Sequence, residues 1–98
     1  MTAEPIPQDL LQVREQIDQI DAELVELLAK RFALTYQVGR LKARNRLEAV
    51  DPAREAGKLA ALKSLSEERN LNPELVTGIF TAIMAEVVRN HRKLQAEL

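Results

Sequence analysis

From Arg14 to Lys42 one set of positions recurs at alternating steps of three and four: Arg14, Ile17, Asp21, Leu24, Leu28, Arg31, Thr35, Val38 and Lys42. That spacing is the a/d seam of a long packing helix, the side a helix normally buries. The 3.6-residue period runs unbroken from Leu10 to about Arg44, with Gly39 as its weak point. A glycine inside a helix costs about 1 kcal/mol and permits a close approach of neighbouring chain. A helix of roughly 35 residues is about 50 Å long, longer than a compact monomer of this size is wide. It must protrude or pair with a second chain. Pro5 and Pro7 predict a flexible lead-in over residues 1–8, and Asp9 with Gln12 three positions later predicts a capping box.

Residues 45–50 form a first connection, after which Asp51-Pro52 supplies an N-cap followed by proline at the first helical position. A second helix is expected from Ala53 to about Arg69, with Leu59, Leu62 and Leu65, plus Ala56 and Ala60, as its apolar stripe. Asn72-Pro73 repeats the cap-plus-proline signal. The third helix then runs from Pro73 into the tail, carrying Leu75, Val76, Ile79, Phe80, Ile83, Met84, Val87, Val88 and Leu94 on its apolar positions. No strand signal, internal repeat or low-complexity tract interrupts this pattern. The expected fold is all-α, one long helix plus two shorter ones, in a single domain over residues 1–98.

Arg14, Arg31 and Lys42 break the seam, because each places a cation where an apolar side chain belongs. Burying an unpaired cation is costly, and Asp21 is the only carboxylate on the stripe. One reading makes these residues snorkelling cations at the edge of a coiled coil. The other makes them the walls of a pocket for a small polyanion. Arg31 and Lys42 stand about 16 Å apart along the helix axis, so two leaning side chains can hold opposite ends of one small dianion. Arg14 lies about 25 Å from Arg31 by the same rise. It can serve such a site only from a second, antiparallel copy of the helix, so the second reading requires a homodimer with two equivalent anion sites.

Composition narrows the chemistry further. The 98 residues carry a formal net charge of −1, one Tyr, two Phe and no Trp. Such a chain has neither the basic excess nor the aromatic platforms of a nucleic-acid binder. It holds no cysteine and a single His, which excludes thiolate catalysis, disulfides and a metal site built from Cys or His. No run is long and apolar enough to suggest a membrane span, and Met1 to Gln8 shows no signal-peptide pattern. A cytoplasmic protein is expected. Without a strong nucleophile, metal or redox group, a cationic pocket can still hold a flexible dianion in a reactive shape and stabilise charge developing in a transition state.

Four strings then occur in order: Leu-Leu-Gln-Val-Arg-Glu-Gln-Ile-Asp-Gln-Ile-Asp from Leu10, Leu-Leu-Ala-Lys-Arg from Leu27, Val-Gly-Arg-Leu-Lys from Val38 and Asp-Pro-Ala-Arg-Glu from Asp51. Together they closely resemble the all-helical (AroQ-class) chorismate mutases, over about nine-tenths of the chain and without insertions. The resemblance implies an intertwined antiparallel homodimer that converts chorismate to prephenate by a [3,3] rearrangement, with no cofactor. It implies that Arg14 reaches the partner's site and that Arg31 binds a substrate carboxylate. Lys42 would reach a carboxylate and the ether oxygen whose bond breaks. Glu55 would accept the ring hydroxyl, assisted by Asp51, with Arg54 beside them.

The third helix of the family usually adds a Ser to the ring carboxylate and, one turn later, a Gln to the ether oxygen. Here Val87 and His91 stand at those positions. Val87 offers no hydrogen bond, whereas His91 either donates to the ether oxygen or is an exposed residue of the last helix. Two enzymes on the same scaffold remain rivals, isochorismate pyruvate lyase and a 4-amino-4-deoxychorismate mutase. A non-catalytic helical dimerisation module is the rival of another class, and it leaves the cations on the seam unexplained. An activating partner enzyme is compatible with the scheme.

Overall fold

The computed structural model describes residues 5–97, and these form three helices without a strand: α1 (Gln8–Arg44), α2 (Pro52–Glu68) and α3 (Pro73–Ala96). The first half of the expected lead-in lies outside the described residues. Its last member, Gln8, is already helical. The chain divides between Ala33 and Leu34 into two units.

In the first unit α1 starts earlier than Asp9 would have it. The Pro7 carbonyl accepts from Leu11 N at 3.2 Å, so the backbone of Pro7 occupies the cap position. Asp9 lies inside the first turn, its Oδ1 3.1 Å from Leu10 N. There a carboxylate still complements the positive end of the helix dipole, but it is not the predicted N-cap. Proline tolerates this place because the first helical N–H groups have no intrahelical partner to lose. The apolar seam positions Ile17, Leu24 and Leu28 are exposed, as are Ile20, Val25 and Leu27.

In the second unit the capping signals act as read. Asp51 Oδ1 accepts from Arg54 N at 3.2 Å and Asn72 Oδ1 from Glu74 N at 3.0 Å, with Pro52 and Pro73 following. Both connections begin with the same closure. Leu47 N donates to Lys42 O at 2.8 Å and Arg46 N to Ala43 O at 3.3 Å, while Leu71 N donates to Ser66 O at 2.9 Å and Asn70 N to Glu67 O at 3.2 Å. These paired bonds are Schellman closures, which place one residue in the left-handed region. That residue is Asn70 (φ 58°) after α2, a tolerant choice, and Arg46 (φ 55°) after α1. A side chain other than Gly or Asn is strained there by about 1–2 kcal/mol. Arg46→Gly is therefore expected to stabilise the protein by about 0.5–1 kcal/mol after the extra chain entropy of glycine is subtracted. Urea unfolding at fixed protein concentration checks this, and a lowered midpoint would count against the closure.

α2 and α3 pack together. The inward stripe of α2 is Glu55, Leu59, Leu62 and Ser66. It departs from the apolar stripe of the sequence, because Ala56 and Ala60 are exposed and, at its end, Leu65 is 46% exposed and Ser66 only 2%. Ser66 fits there because its hydroxyl returns to Leu62 O at 2.7 Å, which satisfies the buried polar atom within its own helix. On α3 the half-buried positions include Val76, Phe80, Ile83, Met84, Val87 and Val88, with His91 fully buried at the end of that face. Leu75 and Ile79 stay exposed. Among the described residues Ala49 is the one hydrophobic residue that is buried. It lies in the connection between α1 and α2.

Candidate active site

The connection after α1 gathers the first group of expected site residues. Lys42 is half-buried, and its Nζ donates to the Ala49 carbonyl at 3.3 Å. Gln95 Nε2 on α3 donates to the Leu47 carbonyl at 2.8 Å, which fastens the same connection from the other side. One residue past Ala49, Val50 lines a cleft of about 370 Å³ together with Glu55 and Leu59 of α2 and Thr81, Met84, Ala85, Val88, Arg89 and Arg92 of α3. Asp51 and Arg54 are exposed beside the cleft's α2 end, joined by the cap bond. Glu55, in the first turn of α2, is half-buried.

His91 occupies a seat of its own. It is 3% exposed, and its Nε2 lies 2.7 Å from the Thr35 carbonyl oxygen on α1. A carbonyl only accepts, so Nε2 carries the hydrogen and Nδ1 of the neutral ring is left with a lone pair. Nδ1 is buried and has no hydrogen-bond partner among the described residues. The ring rests on Gly39: a Cβ there would stand 2.5 Å from His91 Cδ2 and 2.8 Å from Leu94 Cδ1. This is the close approach that the glycine in the helical pattern announces. The alternative of an exposed histidine on the last helix is thereby corrected.

Of the expected residues, then, Glu55 lines the cleft, while Lys42 is tied to the Ala49 carbonyl in the connection after α1 and His91 to the Thr35 carbonyl on α1. Val87 is half-buried on α3 and is not among the lining residues. Arg31 is half-buried and Arg14 exposed, both in the first unit. Arg89 and Arg92 are not singled out by the sequence, because basic residues in the last turns of a helix already suit the negative end of its dipole. Their signal was the three-residue spacing, with Ala85 and Val88 on the same side. Arg89 bonds Glu86 through both Nε and Nη2. That hydrogen bond, then the charge of Arg89 and, more weakly, that of Lys93, hold the Glu86 carboxyl below its ordinary range. Arg92 is exposed, with no ion pair or hydrogen bond among the described residues.

Comparison with known proteins decides the family. The description "chorismate mutase type II" matches residues 13–92. The chain belongs to this family. A T-protein of Enterobacter agglomerans is 37% identical over 78 residues, which cover 80% of this chain and 21% of that protein. A bifunctional chorismate mutase/prephenate dehydratase of Buchnera aphidicola subsp. Schizaphis graminum is 37% identical over 90 residues, covering 92% of this chain and 23% of that one. The Escherichia coli (strain K12) protein of the same name is 32% identical over 85 residues, covering 87% and 22%. This member of the type II family thus spans a little over a fifth of the length of these curated relatives. No described helix is long and apolar enough to cross a membrane.

Proposed function

We propose that this chain is a chorismate mutase, rearranging chorismate to prephenate in the biosynthesis of phenylalanine and tyrosine. The observation that carries the reading is the family match over residues 13–92, within which the seam cations Arg14, Arg31 and Lys42 all fall. The bond-breaking and bond-forming steps are intramolecular, so the protein supplies shape and charge alone. It selects the folded diaxial substrate and meets the charge that grows on the ether oxygen.

In this scheme Arg31 and the partner's Arg14 bind the substrate's carboxylates, and Lys42 spans a carboxylate and the ether oxygen. Glu55 accepts the ring hydroxyl, with Asp51 and Arg54 at the rim. His91 has already given its Nε2–H to Thr35, so the neutral ring has no second donor. It reaches the ether oxygen with a hydrogen only as an imidazolium, through Nδ1. In the neutral state that hydrogen bond falls to Lys42.

A homodimer is part of the reading. Ile17, Ile20, Leu24, Val25 and Leu27 are each at least half exposed in a single chain, and apolar surface on this scale calls for a cover. In this reading the second copy lies antiparallel and brings its Arg14 to the other chain's Arg31 and Lys42. The direct test is to incubate purified protein with chorismate, follow the loss of its ultraviolet absorbance and identify the product. Prephenate is expected. Pyruvate released from isochorismate would identify the lyase instead, turnover of 4-amino-4-deoxychorismate alone would identify the amino mutase, and no turnover of any of the three would leave the dimerisation module. In the same preparation the unfolding midpoint should rise with protein concentration. A monodisperse, fully active monomer in analytical ultracentrifugation would overturn both the assembly and the role of Arg14.

A further inference from the structure

We infer that Arg92 is a substrate-binding residue, a further cation for the ring carboxylate at the cleft that Glu55 lines. The inference rests on the mutase reading and adds to it a residue that the family resemblance does not supply. Three observations lead there. The cleft of about 370 Å³ that opens on Glu55 also opens on Arg92. Its remaining walls are largely apolar, with Val50, Leu59, Met84 and Val88 among them. Such a cleft suits the hydrocarbon face of a small ring bearing a carboxylate.

Charge accounting selects Arg92 over its neighbour. Arg89 is neutralised by Glu86, which it grips with two nitrogens. Arg92, three residues on and on the same side of α3, keeps its charge uncompensated among the described residues. Glu55 makes that charge necessary. A carboxylate that accepts the ring hydroxyl also repels a dianionic substrate, and a guanidinium across the same cleft offsets the repulsion. Valine at 87 offers a carboxylate no hydrogen bond, and a guanidinium suits a carboxylate better than a hydroxyl does, because it can offer two parallel N–H donors.

The experiment compares Arg92→Ala, Arg92→Lys and Lys93→Ala, the last removing the same charge one position away. Arg92→Ala is expected to lower kcat/KM at least about tenfold, or 1.4 kcal/mol, chiefly by raising KM. Arg92→Lys should recover part of the loss, and Lys93→Ala should stay within about twofold of wild type. A bicyclic dicarboxylate transition-state analogue and its counterpart without the ring carboxylate give the second readout. Wild type should prefer the dicarboxylate, and Arg92→Ala should lose that preference while binding the counterpart as before.

If wild type turns over chorismate and Arg92→Ala equals Lys93→Ala, or weakens both analogues alike, the assignment of Arg92 is overturned and the mutase reading stands. If wild type leaves chorismate unchanged, the mutase reading fails. An NMR titration with benzoate then decides the subsite: shifts at Met84 and Arg92 that vanish in Arg92→Ala support it, and their absence in wild type overturns it.

Discussion

Arg14→Ala and Arg31→Ala, each nearly inactive alone, should regain about a quarter of the wild-type activity when mixed and allowed to exchange chains. Each substitution removes a charge-assisted contact to the substrate dianion, the kind of loss that typically costs 2–5 kcal/mol or more when the other charge is left unpaired. In the mixed dimer one site combines both defects and the other has neither. With random exchange about half the dimers are mixed and half of their sites are intact, which gives the quarter. The measurement is initial velocity against exchange time, with exchange followed independently by mass spectrometry of isotope-labelled chains. A mixture that exchanges fully and stays as inactive as its parents would show that Arg14 does not act across an interface.

Gly39→Ala should destabilise the protein by about 3 kcal/mol, although the same change at an ordinary helical glycine stabilises by about 1 kcal/mol. The sign reverses because the new methyl would meet His91 Cδ2 at 2.5 Å and Leu94 Cδ1 at 2.8 Å. Overpacking of this kind costs about 1–3 kcal/mol. Pushing the ring off its seat also strips the buried Nε2–H from the Thr35 carbonyl, for a further 1–3 kcal/mol or so. Urea midpoints at one protein concentration test this. His91→Ala in the same chain should restore part of the loss, with a coupling of about 1 kcal/mol or more between the two positions. Stabilisation by Gly39→Ala alone would mean that the ring does not rest against position 39. Lys42 lies three residues beyond Gly39, on the same side of α1, so the single variant should also lose catalytic rate.

The helices were legible because their ends are written locally. Asp51-Pro52 and Asn72-Pro73 each place an oxygen acceptor and a donor-free proline within two residues, and no distant contact is needed to read them. Asp9 misled because a backbone carbonyl, that of Pro7, can begin a helix without a capping side chain. Leu65 and Ser66 exchange their expected places for a related reason. Hydrophobicity ranks leucine first, but what fits at the end of the α2 stripe is a small side chain able to bond its own helix.

The seam was legible as a pattern and less so as a site. The spacing of Arg14, Arg31 and Lys42 marks a face that needs an anion, whereas the depth of His91 depends on a missing methyl 52 positions earlier. No periodicity within α3 signals that. Arg92 escaped notice because a basic residue near a helix C-terminus already has a sufficient reason to be there.

The seat beneath His91 also sets an order of events for any lineage of variants. Position 39 cannot gain a side chain while the imidazole lies against it, so the ring must shrink first. Once a smaller residue stands at 91, the contact left at 39 is Leu94 Cδ1, the far end of a flexible side chain that can turn aside, and substitutions there become helix-favouring. A later return of histidine at 91 would then find its place filled. The two positions form a ratchet in sequence space, open in one direction and closed behind.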